Sequence, residues 1–352
     1  MKLLRKIHLY IGLCLGLVFL VMAVSGTALV FRNDIIALFM DDAPKYIKLS
    51  PEQEITAIEN LPQENVRFID FPSRAEPWFE LWLYNGDIEY YDPISLKEII
   101  VHFSMTEVMI FLADLHIYFL SGETGELISG YFGLILVFMI LSGIWLWWPG
   151  RKQFRLKNIL PRSNKRGLLL KSHRSFGFIS SVLLLVVVSS GAGMVFYEMS
   201  QKTIALFTGE EVGKVLDRPT STLKDVEITN FRDFTTNFHQ FVPDGEFTRY
   251  NPPTKETPNK IRMRYRYPED WTPAGASFIT VDFVKKRITD FRDYRLDPKY
   301  NRISRKIYPV HSGKMDNVFY KILVGFSGVV LFLMIYTGFA AWYTGRRNKS
   351  RH

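Results

Sequence analysis

Cysteine is all but missing from these 352 residues: Cys14 stands alone. That excludes an intrachain disulfide, a Cys-ligated zinc site, an iron–sulfur cluster and a CxxCH haem attachment within the chain. A Walker loop, a GxGxxG turn after a strand, a Ser-His-Asp set and an HExxH element are missing too. The chain thus has no visible nicotinamide or flavin site of its own, and any electrons it handles come from another molecule. Acidic residues are absent from 149–172, where Arg151, Lys152, Arg155, Lys157, Arg162, Lys165, Arg166 and Lys171 stand, with Arg174 just beyond. That segment and the tail 346–352, with Arg346, Arg347, Lys349 and Arg351, take up most of the net charge of +9. A nucleic-acid reading of the basic balance thereby loses its basis.

What the chain has instead is apolar length. Of its residues 47% are hydrophobic and 15% aromatic, and the apolar ones gather in four runs within 1–31, 127–148, 173–197 and 318–345. Each meets the ~20 residues needed to cross a bilayer at a rise of ~1.5 Å per residue. The first run is too long for a secretory signal, lacks a clear small-x-small cleavage site and has a downstream twin, so it is read as a retained anchor. The positive charge of 149–172 and 346–352 places both segments, and the N-terminus, in the cytoplasm. Residues 32–126 and 198–317 then lie outside. In the first, PWFELWLYNGDIEYYDPISLKEI alternates Trp78, Glu80, Trp82 and Tyr84 against Phe79, Leu81 and Leu83 and turns at Asn85-Gly86, a hairpin pattern. In the second, KIRMRYRYPED and ASFITVDFVKKRITDFRDY read as strand, turn and strand. There Arg264, Tyr265, Arg266 and Tyr267 offer either a basic aromatic face to an anionic or bulky ligand or simply the solvent face of a strand. The fold class expected is an integral α-helical membrane protein with two α+β domains outside.

Repetition is the strongest organising signal. HLYIGLCLGLVFLVMAVSGTALVF, from His8 to Phe31, returns as HRSFGFISSVLLLVVVSSGAGMVF, from His173 to Phe196. Gly12 falls on Gly177, Ser25-Gly26 on Ser190-Gly191 and Val30-Phe31 on Val195-Phe196. Setting His116 on His311 aligns the other two runs without a gap. Gly130 then meets Gly325, Gly133 meets Gly328, Ser142-Gly143 meets Thr337-Gly338, Trp147 meets Trp342, and Gly150-Arg151 meets Gly345-Arg346. The chain reads as two tandem copies of one unit: helix, outside domain, histidine, helix.

His8 and His173 begin spans that start on the cytoplasmic side, so they share a level. His116 and His311 precede spans that start outside and form a second pair, roughly 25–30 Å away by helix rise. A closed zinc site wants four ligands, whereas a flat macrocycle needs two axial ones, one from each of two helices, which fits a bis-His haem. Gly12 and Gly16 follow His8 by one and two turns, and Gly177 and Ser181 follow His173 likewise. Such small residues leave a groove for a porphyrin face, and they also suit ordinary helix packing. From His116 to Gly143 would be ~40 Å of continuous helix, longer than the hydrocarbon core, so His116 and His311 are expected on separate short segments at the outer interface. His102 and His239 lack a partner at metal spacing and read as surface or satisfied histidines. Trp145, Trp147, Trp148 and Trp342 read as an aromatic belt. Lys2, Arg5, Lys171 and Arg174 are placed to neutralise the acidic groups of an inner haem, although positive-inside charge already explains them.

On RKIHLYIGLCLGL…SGTALVF, LHIYFLSGETGELISGYFGL…SGIWLWWPGRK, HRSFGFISS…SSGAGMVF and HSGKMDNVFYKILVGF…TGFAAWYTGRR, the chain resembles the PepSY-associated transmembrane family over nearly its whole length. YYDPISLKEI and ITVDFVKKRITDF resemble PepSY domains but lack the usual turn glycine. The resemblance implies a bacterial inner-membrane protein, often iron-regulated, similar to di-haem ferric-siderophore reductases. Carried over by position, His8 with His173 holds an inner haem b and His116 with His311 an outer one. It also implies an unidentified cytoplasmic or membrane electron donor and a periplasmic ferric chelate as acceptor, with no further catalytic residue assigned. Two other functions compete. One is a PepSY membrane protein that binds or regulates a periplasmic peptidase, its helices serving as anchors. The other is a transporter, against which the near-absence of charge within the spans counts.

Overall fold

A bilayer offers backbone amides no water, so an apolar run there closes its hydrogen bonds within a helix. The computed structural model describes residues 1–148, 150, 154–213, 227–315 and 317–349. Arg151, Lys152 and Arg351 of the basic segments, and Asp316 of HSGKMDN, lie outside the described residues. The chain begins with α1 (Lys2–Val30), α2 (Arg32–Leu38) and α3 (Pro51–Asn60), then β1 (Val66–Asp70), β2 (Phe79–Leu83) and β3 (Ile88–Tyr91). Next come α4 (Met105–Tyr118), α5 (Gly122–Trp147), α6 (Arg166–Val195), α7 (Tyr197–Thr208) and α8 (Phe231–Phe241). The strands β4 (Glu246–Asn251), β5 (Lys260–Arg266), β6 (Ser277–Asp282) and β7 (Arg287–Arg292) precede α9 (Lys299–Ser304), α10 (Ile307–Ser312) and α11 (Val318–Lys349).

Among the described residues four helices, α1, α5, α6 and α11, are long and apolar enough to cross a membrane, and the chain is a multi-pass membrane protein. Several begin or end beyond the apolar runs, because polar residues such as Arg166 and Lys171 continue the helix past the hydrocarbon. Both α1 and α6 pack on α5 and α11, which closes a four-helix ring with α1 and α6 diagonally opposite. α1 breaks at Phe31 and α6 at Phe196, and α2 and α7 start at the next residue. The Phe31 ring fills the space where Gly325 lacks a side chain, and a Cβ on Gly130 would stand 2.9 Å from the Phe196 ring. So two of the glycines matched in the sequence each seat an aromatic residue from the opposite half.

Where two outside domains were expected, the two segments build one body. Its strands form a single antiparallel sheet of seven, in the order β3-β2-β1-β4-β5-β6-β7. The halves join at β1 and β4, where Ile69 faces Tyr250 and Asp70 faces Arg249. The Arg249 guanidinium grips both Asp70 oxygens across this seam at 2.6 and 2.8 Å. The physical reason is edge protection: apart, β1 and β4 would each leave a row of unpaired backbone groups. The expected hairpin around Asn85-Gly86 is present as β2 and β3, and where the second segment was read as strand, turn and strand it gives three strands, β5, β6 and β7.

α3 starts with a capping box in which Ser50 and Gln53 bond each other's backbone, with Pro51 in the first turn. With α8 it covers one face of the sheet, burying Phe79, Leu81, Phe234, Phe238, Met263 and Tyr265 in a core shared by both halves. A second cluster of Ile36, Met40, Trp78, Tyr90 and Met109 ties α2 and α4 to the first hairpin. The alternation of Arg264 to Tyr267 thus resolves into two faces rather than one. Tyr265 and Tyr267 are buried in the core, while Arg264 and Arg266 line a cavity on the opposite side.

Candidate functional site

A histidine side chain projecting into a helical ring can reach across to what the diagonal helix projects at the same level. His8 on α1 and His173 on α6 meet in this way, with ring centroids 6.4 Å apart and ring planes at 86°. His116, near the end of α4, meets His311 on α10 at 6.2 Å with planes at 30°. α4 and α10 are helices separate from α5 and α11, as the length argument requires. Their histidines nevertheless reach back against the spans: His116 lies on Gly26 of α1 and His311 on Gly191 of α6. Both glycines stand 18 residues beyond the histidine of their own helix, which separates the two levels by about 27 Å.

Each imidazole is held by its Nδ1 atom. His8 Nδ1 bonds the Ser142 hydroxyl at 2.8 Å and His116 Nδ1 the Ser25 hydroxyl at 3.0 Å. His173 Nδ1 reaches the Met334 carbonyl at 3.1 Å and the Thr337 hydroxyl at 3.2 Å, and His311 Nδ1 reaches the Val187 carbonyl at 2.8 Å. The hydroxyls have already given their protons to carbonyls of their own helices: Ser142 to Met139, Ser25 to Val21 and Thr337 to Leu333. Their oxygens therefore accept, and Nδ1 donates in all four cases. An imidazole protonated on Nδ1 keeps its lone pair on Nε2, the form that ligates a metal.

Glycine completes each cradle. A Cβ on Gly26 would come to 2.7 Å from the His116 ring and one on Gly191 to 2.6 Å from the His311 ring. Gly143 lies against His8 and Gly338 against His173, at 3.4 and 3.2 Å by the same measure. These are the four Ser/Thr-Gly pairs that align in the sequence, where only their repetition was read and not their role. The signal was a hydroxyl preceding the glycine in every span, since packing alone needs no hydroxyl. Ser190 is the exception: it donates to Val186 and Val187, and the Val187 carbonyl takes the proton of His311 instead.

The other expected residues fall as follows. Gly12 faces the tip of Met139, Gly177 the tip of Met334 and Gly16 the Ile335 side chain, so flexible methionine ends fill the space beside two of them. Ser181 is buried and donates to the Phe178 carbonyl. Lys2, Arg5, Lys171 and Arg174 are exposed near the His8–His173 end of the ring. His102 bonds Asp41 at the surface and His239 bonds Glu54 at 2.6 Å, both satisfied as read. Trp145 and Trp148 are exposed, but Trp147 is buried and stacks on Phe178 at 3.8 Å, so it belongs to the packing between α5 and α6 and not to a belt.

Among the described residues no group of three or more His, Cys, Asp or Glu side chains gathers to hold an ion. The histidines come in twos, and two are what a haem iron takes. A metal about 2.0–2.1 Å from each of two facing imidazole nitrogens puts the ring centroids about 6.3–6.5 Å apart, close to the 6.4 and 6.2 Å at which the two pairs stand. Beyond the second pair a cavity of about 1560 Å³ runs from His116 and His311 to the free face of the sheet. That exceeds the ~300–1,000 Å³ usual for a single small-molecule site, which leaves space for a cofactor and a second ligand. Arg249 lies 3.7 Å over Phe68, and Phe68 stacks on Trp82 at 5.4 Å, giving part of the sheet wall a flat aromatic surface. Residues 5–344 match the family described as PepSY-associated TM region. No curated protein matches the chain.

Proposed function

The chain belongs to the PepSY-associated TM family, and from that membership and its paired histidines we propose that it is a transmembrane haem-b electron-transfer protein. In this reading it passes electrons from the cytoplasmic side to a periplasmic Fe(III) complex, as a ferric-siderophore reductase would. Haem bound at each pair supplies the one-electron chemistry, and the chain supplies position, ligands and a low-dielectric setting. The observation that carries the reading is the geometry of the two pairs, each near the spacing of paired metal ligands, with Nδ1 tied back and no hydrogen bond on Nε2 among the described residues. Ser142, Thr337 and Ser25 fix the tautomer, and their glycine neighbours give the rings room.

The positive-inside reading makes His8 and His173 the cytoplasmic, inner pair and His116 and His311 the outer pair, and the family resemblance implies the inner membrane of a bacterium. The cavity then opens beside the outer pair on the periplasmic side, where an acceptor arrives. Reduction serves iron release because hard oxygen chelators hold Fe(II) far less tightly than Fe(III). The tandem duplication gives each histidine an equivalent in the other half, and each pair takes one residue from each half.

A dithionite-reduced spectrum of the purified protein tests the proposal. Sharp b-type α and Soret bands equal to two haems per chain are expected, and His173→Ala should remove about half of them. A protein without such bands is no electron carrier of this kind and leaves the peptidase-binding or transport reading in its place.

A further inference from the structure

The cavity face of the sheet carries a row of charge. Directly paired across the strands stand Glu80 on β2, Asp70 on β1, Arg249 on β4 and Arg264 on β5. The acidic half is satisfied: Glu80 accepts from Arg32 at 2.9 Å and from Trp78 at 3.2 Å, and Asp70 is held by Arg249. Arg249 and Arg264 remain as like charges directly opposite each other, an arrangement that destabilises a sheet. Arg249 has spent its charge on Asp70. Among the described residues Arg264 makes no ion pair, and its guanidinium bonds only the Gly275 carbonyl, at 3.1 and 2.5 Å.

A third guanidinium, Arg305, lines the same cavity. It shares Asp297 with Arg292, which holds that carboxylate at 2.5 Å while Arg305 stays 3.9 Å away. Among the described residues the buried Arg305 Nε has no hydrogen-bond partner. Burial, with Arg249 and Arg305 nearby, pushes Arg264 down to about 10. The two halves differ at this point. Six residues before His311 stands Arg305, and six before His116 stands Ile110, although both segments line the cavity. Membrane topology does not explain a cation here, because the segment faces the sheet and not the basic end of the ring.

We propose that Arg264 and Arg305 form an anion subsite in the cavity, one that takes a carboxylate of its ligand beside the segment carrying His311. The choice of a ferric chelate as ligand rests on the electron-transfer reading; the need for an anion rests on Arg264 in the charge row and on Arg305 beside it. A carboxylate has two sources, an incoming chelate or the acidic side chains of an outer haem, and the two are separable.

The test uses the full-length protein in detergent and gallium(III) citrate, an anionic chelate whose metal takes no electron. Titration calorimetry should show binding that weakens about tenfold in Arg264→Gln and in Arg305→Gln, and less in Arg264→Lys, with haem content unchanged. Arg262→Gln removes one charge from the same strand at an exposed position and should leave binding as in the wild type. If the two Gln variants instead lose haem or shift its potential while citrate binding holds, the carboxylate is the cofactor's. If both readouts match those of Arg262→Gln, there is no anion subsite. A haem-free protein that still binds gallium citrate through Arg264 and Arg305 would end the electron-transfer reading and leave the subsite standing.

Discussion

One hydrogen bond on Nδ1 decides what the other nitrogen of an imidazole is free to do. In this chain Nδ1 gives that bond to a hydroxyl in His8 and His116, to a hydroxyl and a carbonyl in His173 and to a carbonyl in His311. Replacing such a partner on a metal ligand costs about 10–100-fold in affinity. Ser25→Ala should therefore weaken haem retention by that order, read as loss of the α band on dilution, while Ser190→Ala, whose hydroxyl touches no histidine, leaves it unchanged. Gly26→Leu should do more, since its side chain needs the place of the His116 ring, and about half of the haem absorbance should go. The histidines were legible because they recur at matched positions. Their partners were written beside them in the same alignment but could not be read as partners. Ser25 and His116 lie 91 residues apart, and Ser142 and His8 lie 134 apart. Only the ring of helices brings them together.

At the scale of elements, the four spans and the hairpins could be read from period and turn residues, but the joint between segments 32–126 and 198–317 could not. Nothing in β1 or β4 names its neighbour, because an edge strand pairs through backbone groups that every sequence shares. The Asp70–Arg249 bridge on that joint gives a measurable handle. Burial pushes Asp70 up to about 6, against the pull of Arg249. An acid whose folded value lies above its ordinary 3.8 binds a proton more readily folded than unfolded, so its contribution is largest at low pH and fades as pH rises through the folded value. Arg249→Leu should then cost about 3–5 kcal/mol at pH 8 and less at pH 5, as followed by denaturation in detergent. The loop between β1 and β2 behaves in the opposite sense. Burial alone would raise Glu76, but Lys314, Arg32 and Asn33 outweigh it and hold the carboxyl below its ordinary 4.5. Its stabilising effect is complete above that value and drains away as pH falls below it. A Glu76→Gln protein should accordingly lose less of its melting temperature than the wild type between pH 7 and pH 4.

For the whole molecule, each histidine pair needs one residue from either half of the chain: His8 with His173 and His116 with His311. Residues 1–162 and 163–352 expressed separately should each bind no haem, and co-expressed they should bind both equivalents. Haem in an isolated half would contradict the pairing. The seam between β1 and β4 also imposes a schedule. Tyr250 is synthesised 181 residues after its partner Ile69. At ~5–20 residues per second the growing chain spends roughly 9–36 s with β1 finished and its partner not yet made. Throughout that interval a bare strand edge stands next to a sheet that has no other way to close. Chains that stall before β4 are therefore the ones expected in aggregates and in protease digests.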